Sequence, residues 1–209
     1  MKKFCITLII VFTGSGLLFA QQSVIDDKSV SKTFECQGRS KSEILTKVEN
    51  WLNQRQDAEQ NVIEVFDTEK GLMAFRGESK VLYKNIGKEL YPKRSGMAEI
   101  LEANFGYAIE VAVDRDNYVI TYTVVDMKQE MYKKQDLFFN CVNFNQLDEE
   151  SLGEYNRAMD KLLKANLVFK KRREIFAENS SAQFEEVSNF LLNEGENTIF
   201  SINEAITTQ

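Results

Sequence analysis

The chain has 209 residues, no histidine, and 26 basic against 32 acidic side chains, for a net charge of −6 at neutral pH. The lack of histidine excludes Ser-His-Asp and Cys-His nucleophilic arrangements and every His-based metal site. With 43% hydrophobic residues, a chain of this length can bury one sizeable core.

Residues 1–20 read as a secretory leader. Lys2 and Lys3 form a positive n-region, an apolar stretch follows, and Ala20 offers a cleavage point that would leave Gln21 as the first mature residue. The stretch 4–20 is interrupted by Thr13, Gly14, Ser15 and Gly16, and it falls short of the roughly 20 mostly apolar residues a span needs. A cleaved leader, and hence a secreted or periplasmic protein, is expected; no later segment is long and apolar enough to cross a membrane. Losing Lys2 and Lys3 leaves 24 basic against 32 acidic residues, a net charge of −8. That bulk charge argues against a nucleic-acid or anionic-membrane partner, because phosphate binding draws its affinity from Lys and Arg. Cys36 and Cys141 remain, and they are expected as two buried thiols rather than a bridge.

After a loose start at 21–29, residues 30–36 read as a strand with Phe34 and Cys36 on one face. Ser40 and Glu43 form a capping box. The helix it opens carries Ile44, Leu45, Val48, Trp51 and Leu52 on one stripe. Trp51 is expected at the centre of the core. Strands at 61–66 and 72–77 flank a turn ending in Gly71, with Ile63 and Val65 sharing a face with Met73 and Phe75. Residues 78–104 read as a possible strand extension at 81–83, then a loop around Pro92, then a short helix at 97–103.

The strongest pattern is at 107–125. Tyr107, Ile109, Val111 and Val113 alternate with smaller residues; Asp114, Arg115, Asp116 and Asn117 make a turn; then Tyr118, Ile120, Tyr122 and Val124 alternate again. This is a β-hairpin with its bulky side chains on one face if Val113 opposes Tyr118. Its other face would carry Ala108, Glu110, Ala112, Val119, Thr121, Thr123 and Val125. Residues 138–144 read as a strand or packed linker. A helix opens at Asp148 or Ser151 with Leu152, Tyr155, Met159, Leu162 and Leu163 on one face. A last helix fits 181–193, with Phe184, Val187, Phe190 and Leu191 inward and Gly195 past its end.

The segment Phe34-Glu35-Cys36-Gln37-Gly38, the helix 42–52 with its late Trp51, the strand 71–77 and the hairpin 107–125 together resemble the family of domain of unknown function (DUF) 4468, found in secreted proteins of Bacteroidetes. The resemblance covers about 30–125. It implies a fold like one half of the TATA-binding protein (TBP), and it brings no activity and no functional residues.

The fold expected is therefore α+β: an antiparallel sheet with helices packed on one face, and extra helices at the C-terminus. The organisation expected is a leader at 1–20, an α+β TBP-like domain at 30–147 and a helical region at 148–209. No phosphate-loop glycine motif occurs and no cofactor is expected. Glu64, Asp67, Glu69, Glu110 and Asp126 are best read as solvated, and the run 170–173 (Lys-Lys-Arg-Arg) as a solvated helix end. Tyr107, Tyr118 and Tyr122 are read as core rather than as a sugar platform. The leading function is an exported, non-catalytic module binding a protein or a glycan; the alternative is a carboxylate-based hydrolase. The contact surface would be the weakly apolar face of the hairpin, at Ala108, Ala112, Val119, Thr121 and Thr123, since a face meant only for water usually carries more charge.

Overall fold

A computed structural model describes residues 23–55, 61–128 and 135–208; the leader lies outside the described residues. Six antiparallel strands form one sheet: β1 (Ser23–Ile25), β2 (Ser29–Glu35), β3 (Val62–Asp67), β4 (Leu72–Lys84), β5 (Ile100–Val113) and β6 (Asn117–Lys128). Their order across the sheet is β1-β2-β6-β5-β4-β3. The helices are α1 (Lys41–Gln54), α2 (Ile86–Leu90), α3 (Gln135–Asn140), α4 (Glu149–Ala165) and α5 (Lys170–Thr207).

Period-2 alternation sets the sheet. In the 107–125 hairpin Val113 opposes Tyr118 and Ile109 opposes Tyr122, as the alternation requires. Ile109, Val111, Ile120 and Tyr122 have no exposed surface. The capping box of α1 is complete: the Glu43 amide donates to Ser40 Oγ at 3.3 Å, and the Ser40 amide donates to Glu43 Oε2 at 2.7 Å. Asp148 caps α4 by accepting the Ser151 amide at 2.9 Å.

Several elements differ from the sequence expectation. The strand extension expected at 81–83 is there, and β4 runs unbroken to Lys84; but α2 occupies the start of the expected loop, and 100–103 open β5 rather than ending a helix. The alternation of this strand pair is blurred by Gly77 and Ser79 on the inner face and by the exposed Leu82 and Ile100 on the outer one; Val81, Tyr83, Ala103 and Phe105 point inward and are buried. A register shift between Ile63 and Val65 puts Ile63 opposite Phe75 but Val65 opposite Ala74, so Val65 turns to the outer face and Phe66 takes the inner one. Residues 135–140 are helix α3, not strand.

The largest departure is α5. It runs unbroken for 38 residues, through Gly195. Its buried face includes Phe176, Phe184, Val187, Leu191, Gly195, Ile199, Ile202 and Ile206, spaced three and four apart as one helical stripe demands. This face lies against β2, β4 and β6. Because α5 takes the centre of the sheet, Trp51 is only half-buried at the rim. Its ring tilts against Phe75 at 6.1 Å and its Nε1 donates to Ser201 Oγ at 3.0 Å. Leu162 and Phe190 also turn out exposed, at 45% and 44%.

Gly195 shows how close α5 comes. A Cβ there would sit 2.6 Å from Tyr122 Cδ1 and 3.1 Å from Val30 Cγ1, inside van der Waals contact with the rigid sheet. In an ordinary helix interior, glycine to alanine gains about 1 kcal/mol. Here overpacking should reverse the sign, so Gly195→Ala is expected to cost about 1–3 kcal/mol. Urea denaturation measures this; a stabilised variant would show that α5 does not press on Tyr122.

Candidate functional site: the open face of the sheet

The outer face of the sheet is a grid of cross-strand rows. One row runs Ser29, Thr123, Ala108, Arg76, Val62. The next runs Val24, Ser31, Thr121, Glu110, Ala74, Val65. A third runs Thr33, Val119, Ala112, Leu72, Asp67. Ala108, Ala112, Val119, Thr121 and Thr123 thus meet in the middle of the sheet on β5 and β6. Each is half-exposed, whereas their neighbours along the strand are buried. None of the described helices lies over them.

Charge is distributed unevenly on this face. Beyond the first row, Lys80 pairs with Glu102 at 2.8 Å and Lys128 with Glu78 at 2.5 Å. At the β3 edge Arg76 pairs with Glu64 at 2.9 Å. These pairs face water and largely neutralise one another. The middle rows hold small hydroxyl, methyl and valine side chains around Glu110. A flat, charge-poor area of small side chains lets another surface approach closely with little side-chain ordering.

The remaining candidates go elsewhere. Tyr107, Tyr118 and Tyr122 all point inward and are at most 4% exposed, so no sugar platform forms from them. Tyr107 stacks on Tyr122 at 5.2 Å. The Tyr122 hydroxyl is fully buried and finds no hydrogen-bond partner among the described residues. Asp67 accepts the Lys70 amide at 2.9 Å in the β3–β4 turn, and Asp126 accepts the Gly106 amide at 3.1 Å at a β-bulge, so each carboxylate has a local structural role. None of Glu64, Asp67, Glu69, Glu110 and Asp126 lines the 190 Å³ apolar cavity walled by Tyr83, Phe138, Tyr155 and Phe176. Among the described residues, no cluster of Asp, Glu or Cys could hold a metal ion.

A family model described as a domain of unknown function (DUF4468) with TBP-like fold matches residues 31–128. Residues 31–128 are a DUF4468 domain. The domain holds most of the sheet, from β2 to β6, and all five residues of the candidate surface. A crystal structure of a DUF4468 family protein from Bacteroides ovatus is similar over 92% of this chain and 93% of that one, at 14% identity and a TM-score of 0.46. A TBP-like protein from Parabacteroides distasonis is similar over 86% of this chain and 92% of that one, at 14% identity and a TM-score of 0.44. No curated protein matches the chain. The DUF4468 family has no characterised function, and neither the match nor the sheet assigns a catalytic residue.

Cys36 and Cys141 are separate, buried thiols. Burial first, and then the Asp148 charge, push the Cys141 thiol from 9.0 up to about 12, with Lys28 opposing. Burial likewise lifts the Tyr118 phenol from 10.0 to about 12. Both groups are neutral when protonated, and the unfolded chain ionises them first. Their contribution is therefore whole below about pH 9 and is lost as the pH rises toward about 12. Thermal melts should show the melting temperature falling across this window, and less steeply in Cys141→Ala; burial also raises the Cys36 thiol, so the onset stays near pH 9. A fall of unchanged steepness in that variant would place Cys141 in contact with water.

Proposed function

We propose that this protein is an exported, non-catalytic interaction module that captures a protein partner on the open face of its sheet. The leader at 1–20 supports export and cleavage before Gln21. In this reading residues 30–147 carry the binding sheet, and residues 148–209 are the brace that covers its other side. The observation that carries the proposal is the asymmetry of the sheet. One face is sealed by helices, while the middle of the other is half-exposed, charge-poor and built of small side chains. A protein suits it better than a glycan, because sugar recognition leans on exposed aromatic rings and the hairpin tyrosines are inside. Glu110, exposed among these small residues, favours a partner surface with one Lys or Arg in an otherwise apolar patch.

Thr121 and Thr123 lie on β6 between Ser31 and Glu110 and between Ser29 and Ala108, with room above them for a longer side chain. Thr121→Lys together with Thr123→Lys should leave the melting temperature within a few degrees while putting two unmatched charges into the contact. With a photo-crosslinker at Ala112, the wild-type protein should give one discrete adduct in envelope extracts, and the double variant should give none. An adduct of unchanged yield in the double variant would move the contact off this face.

A further inference from the structure

The turn between α4 and α5 carries a different surface. Leu167 and Phe169 are 88% and 75% exposed, the two most exposed large apolar side chains among the described residues. Val168 between them is buried and pins the turn. The turn is a Schellman cap: the Val168 amide donates to the Leu163 carbonyl at 3.0 Å, and the Leu167 amide donates to the Lys164 carbonyl at 3.0 Å. The residue at the left-handed position of such a cap is usually glycine. Here it is Leu167, at φ +60°, a conformation a bulky side chain adopts only under strain.

The cations that open α5 are also placed against folding. Lys170, Lys171, Arg172 and Arg173 open α5, which has no acidic residue in its first turn, although the helix dipole favours anions there. Lys161 and Lys164 lie in the last turns of α4, just before the tip, and both are exposed. Arg172 sits over the Tyr91 ring at 4.2 Å, and the exposed Lys93 and Arg94 follow Tyr91 in the chain. The acidic groups nearby are few: Asp160 holds Arg173 at 2.6 Å, Glu174 is 3.7 Å from Lys170, and Glu89 pairs with Lys84. Lys161, Lys164 and Lys171 make no ion pair among the described residues.

We propose that the α4–α5 tip docks the protein on an anionic phospholipid surface, with Leu167 and Phe169 entering the headgroup–acyl boundary and the surrounding lysines meeting lipid phosphates. A rigid apolar apex ringed by cations is the arrangement an interfacial anchor requires. The chain's net negative charge does not oppose this. Charges are screened over about 8 Å at physiological salt, so the bilayer meets the tip and not the whole chain. The docking is peripheral, since no helix among the described residues is long and apolar enough to cross a membrane. It uses none of the residues of the open sheet face, so the two readings stand or fall separately.

The test is flotation of the protein beginning at Gln21, which retains every described element, with vesicles of phosphatidylcholine alone or mixed with equal phosphatidylglycerol. The protein should float with the anionic vesicles only, and less so as salt is raised. Leu167→Gly relieves the strained φ, so its melting temperature should rise while vesicle binding falls at least about tenfold, the change expected from withdrawing one large apolar side chain from hydrocarbon. Lys170→Glu with Lys171→Glu should erase the preference for anionic lipid. Three results would overturn the proposal: wild-type protein that does not float, Leu167→Gly that binds as wild type does, or a lipid-free oligomer that dissociates in Leu167→Gly, which would make the tip a contact between copies.

Discussion

The structure depends on one close approach, that of helix α5 to the sheet at Gly195. The Tyr122 ring fills the space a side chain would occupy on α5, and the stripe of α5 on either side of this point is buried. A sheet of six strands has two faces to satisfy, and a single long helix with α1, α3 and α4 beside it can seal only one. The approach has a cost of its own. It buries the Tyr122 hydroxyl without a partner, a penalty of about 1–3 kcal/mol that the surrounding apolar contacts must outweigh. Burial also drives that phenol far above its ordinary range, with the Glu194 and Tyr107 charges adding to the effect.

The two proposed surfaces follow from this arrangement. Sealing one face leaves the other as the place where β5 and β6 present Ala108, Thr121 and their neighbours. At the start of α5, which packs on β2, β4 and β6, the α4–α5 turn holds Leu167 and Phe169 out to solvent. Both surfaces depart from what stability alone would select. The sheet face lacks the charge expected of a solvated surface, and the tip combines a strained leucine with cations at a helix N-terminus.

Much of this was legible in the sequence where a period was regular. The 107–125 hairpin, its register and its two faces follow from alternation, and the start of α1 follows from Ser40 and Glu43. The five residues of the sheet face were found because alternation that sends tyrosines and isoleucines inward must send their neighbours outward. The fold of the DUF4468 domain was legible from the same elements. The reading failed where local signals opposed long-range packing. Gly195 reads as a helix stop, yet it is the contact that lets α5 continue, and only the later Ile199, Ile202 and Ile206 carry the period past it. The start of β5 was misread as helix because Ile100 faces water while small Ala103 faces the core, and the Val65 turn-out was hidden by a bulge without a distinctive sequence. The α4–α5 tip was obscured because the charge of the whole chain says little about where its cations gather.

The central claim is that α5 and the sheet form one cooperative unit joined at Gly195 and Tyr122. Native-state amide hydrogen exchange tests it most directly. The slowest amides of α5, around Leu191 to Ile202, should open with the same free energy as those of β5 and β6, within about 1 kcal/mol, and with the same dependence on denaturant. If α5 exchanges through a separate opening several kcal/mol below the sheet, the helix is an appendage, and the account of a sheet sealed on one face by α5 is wrong.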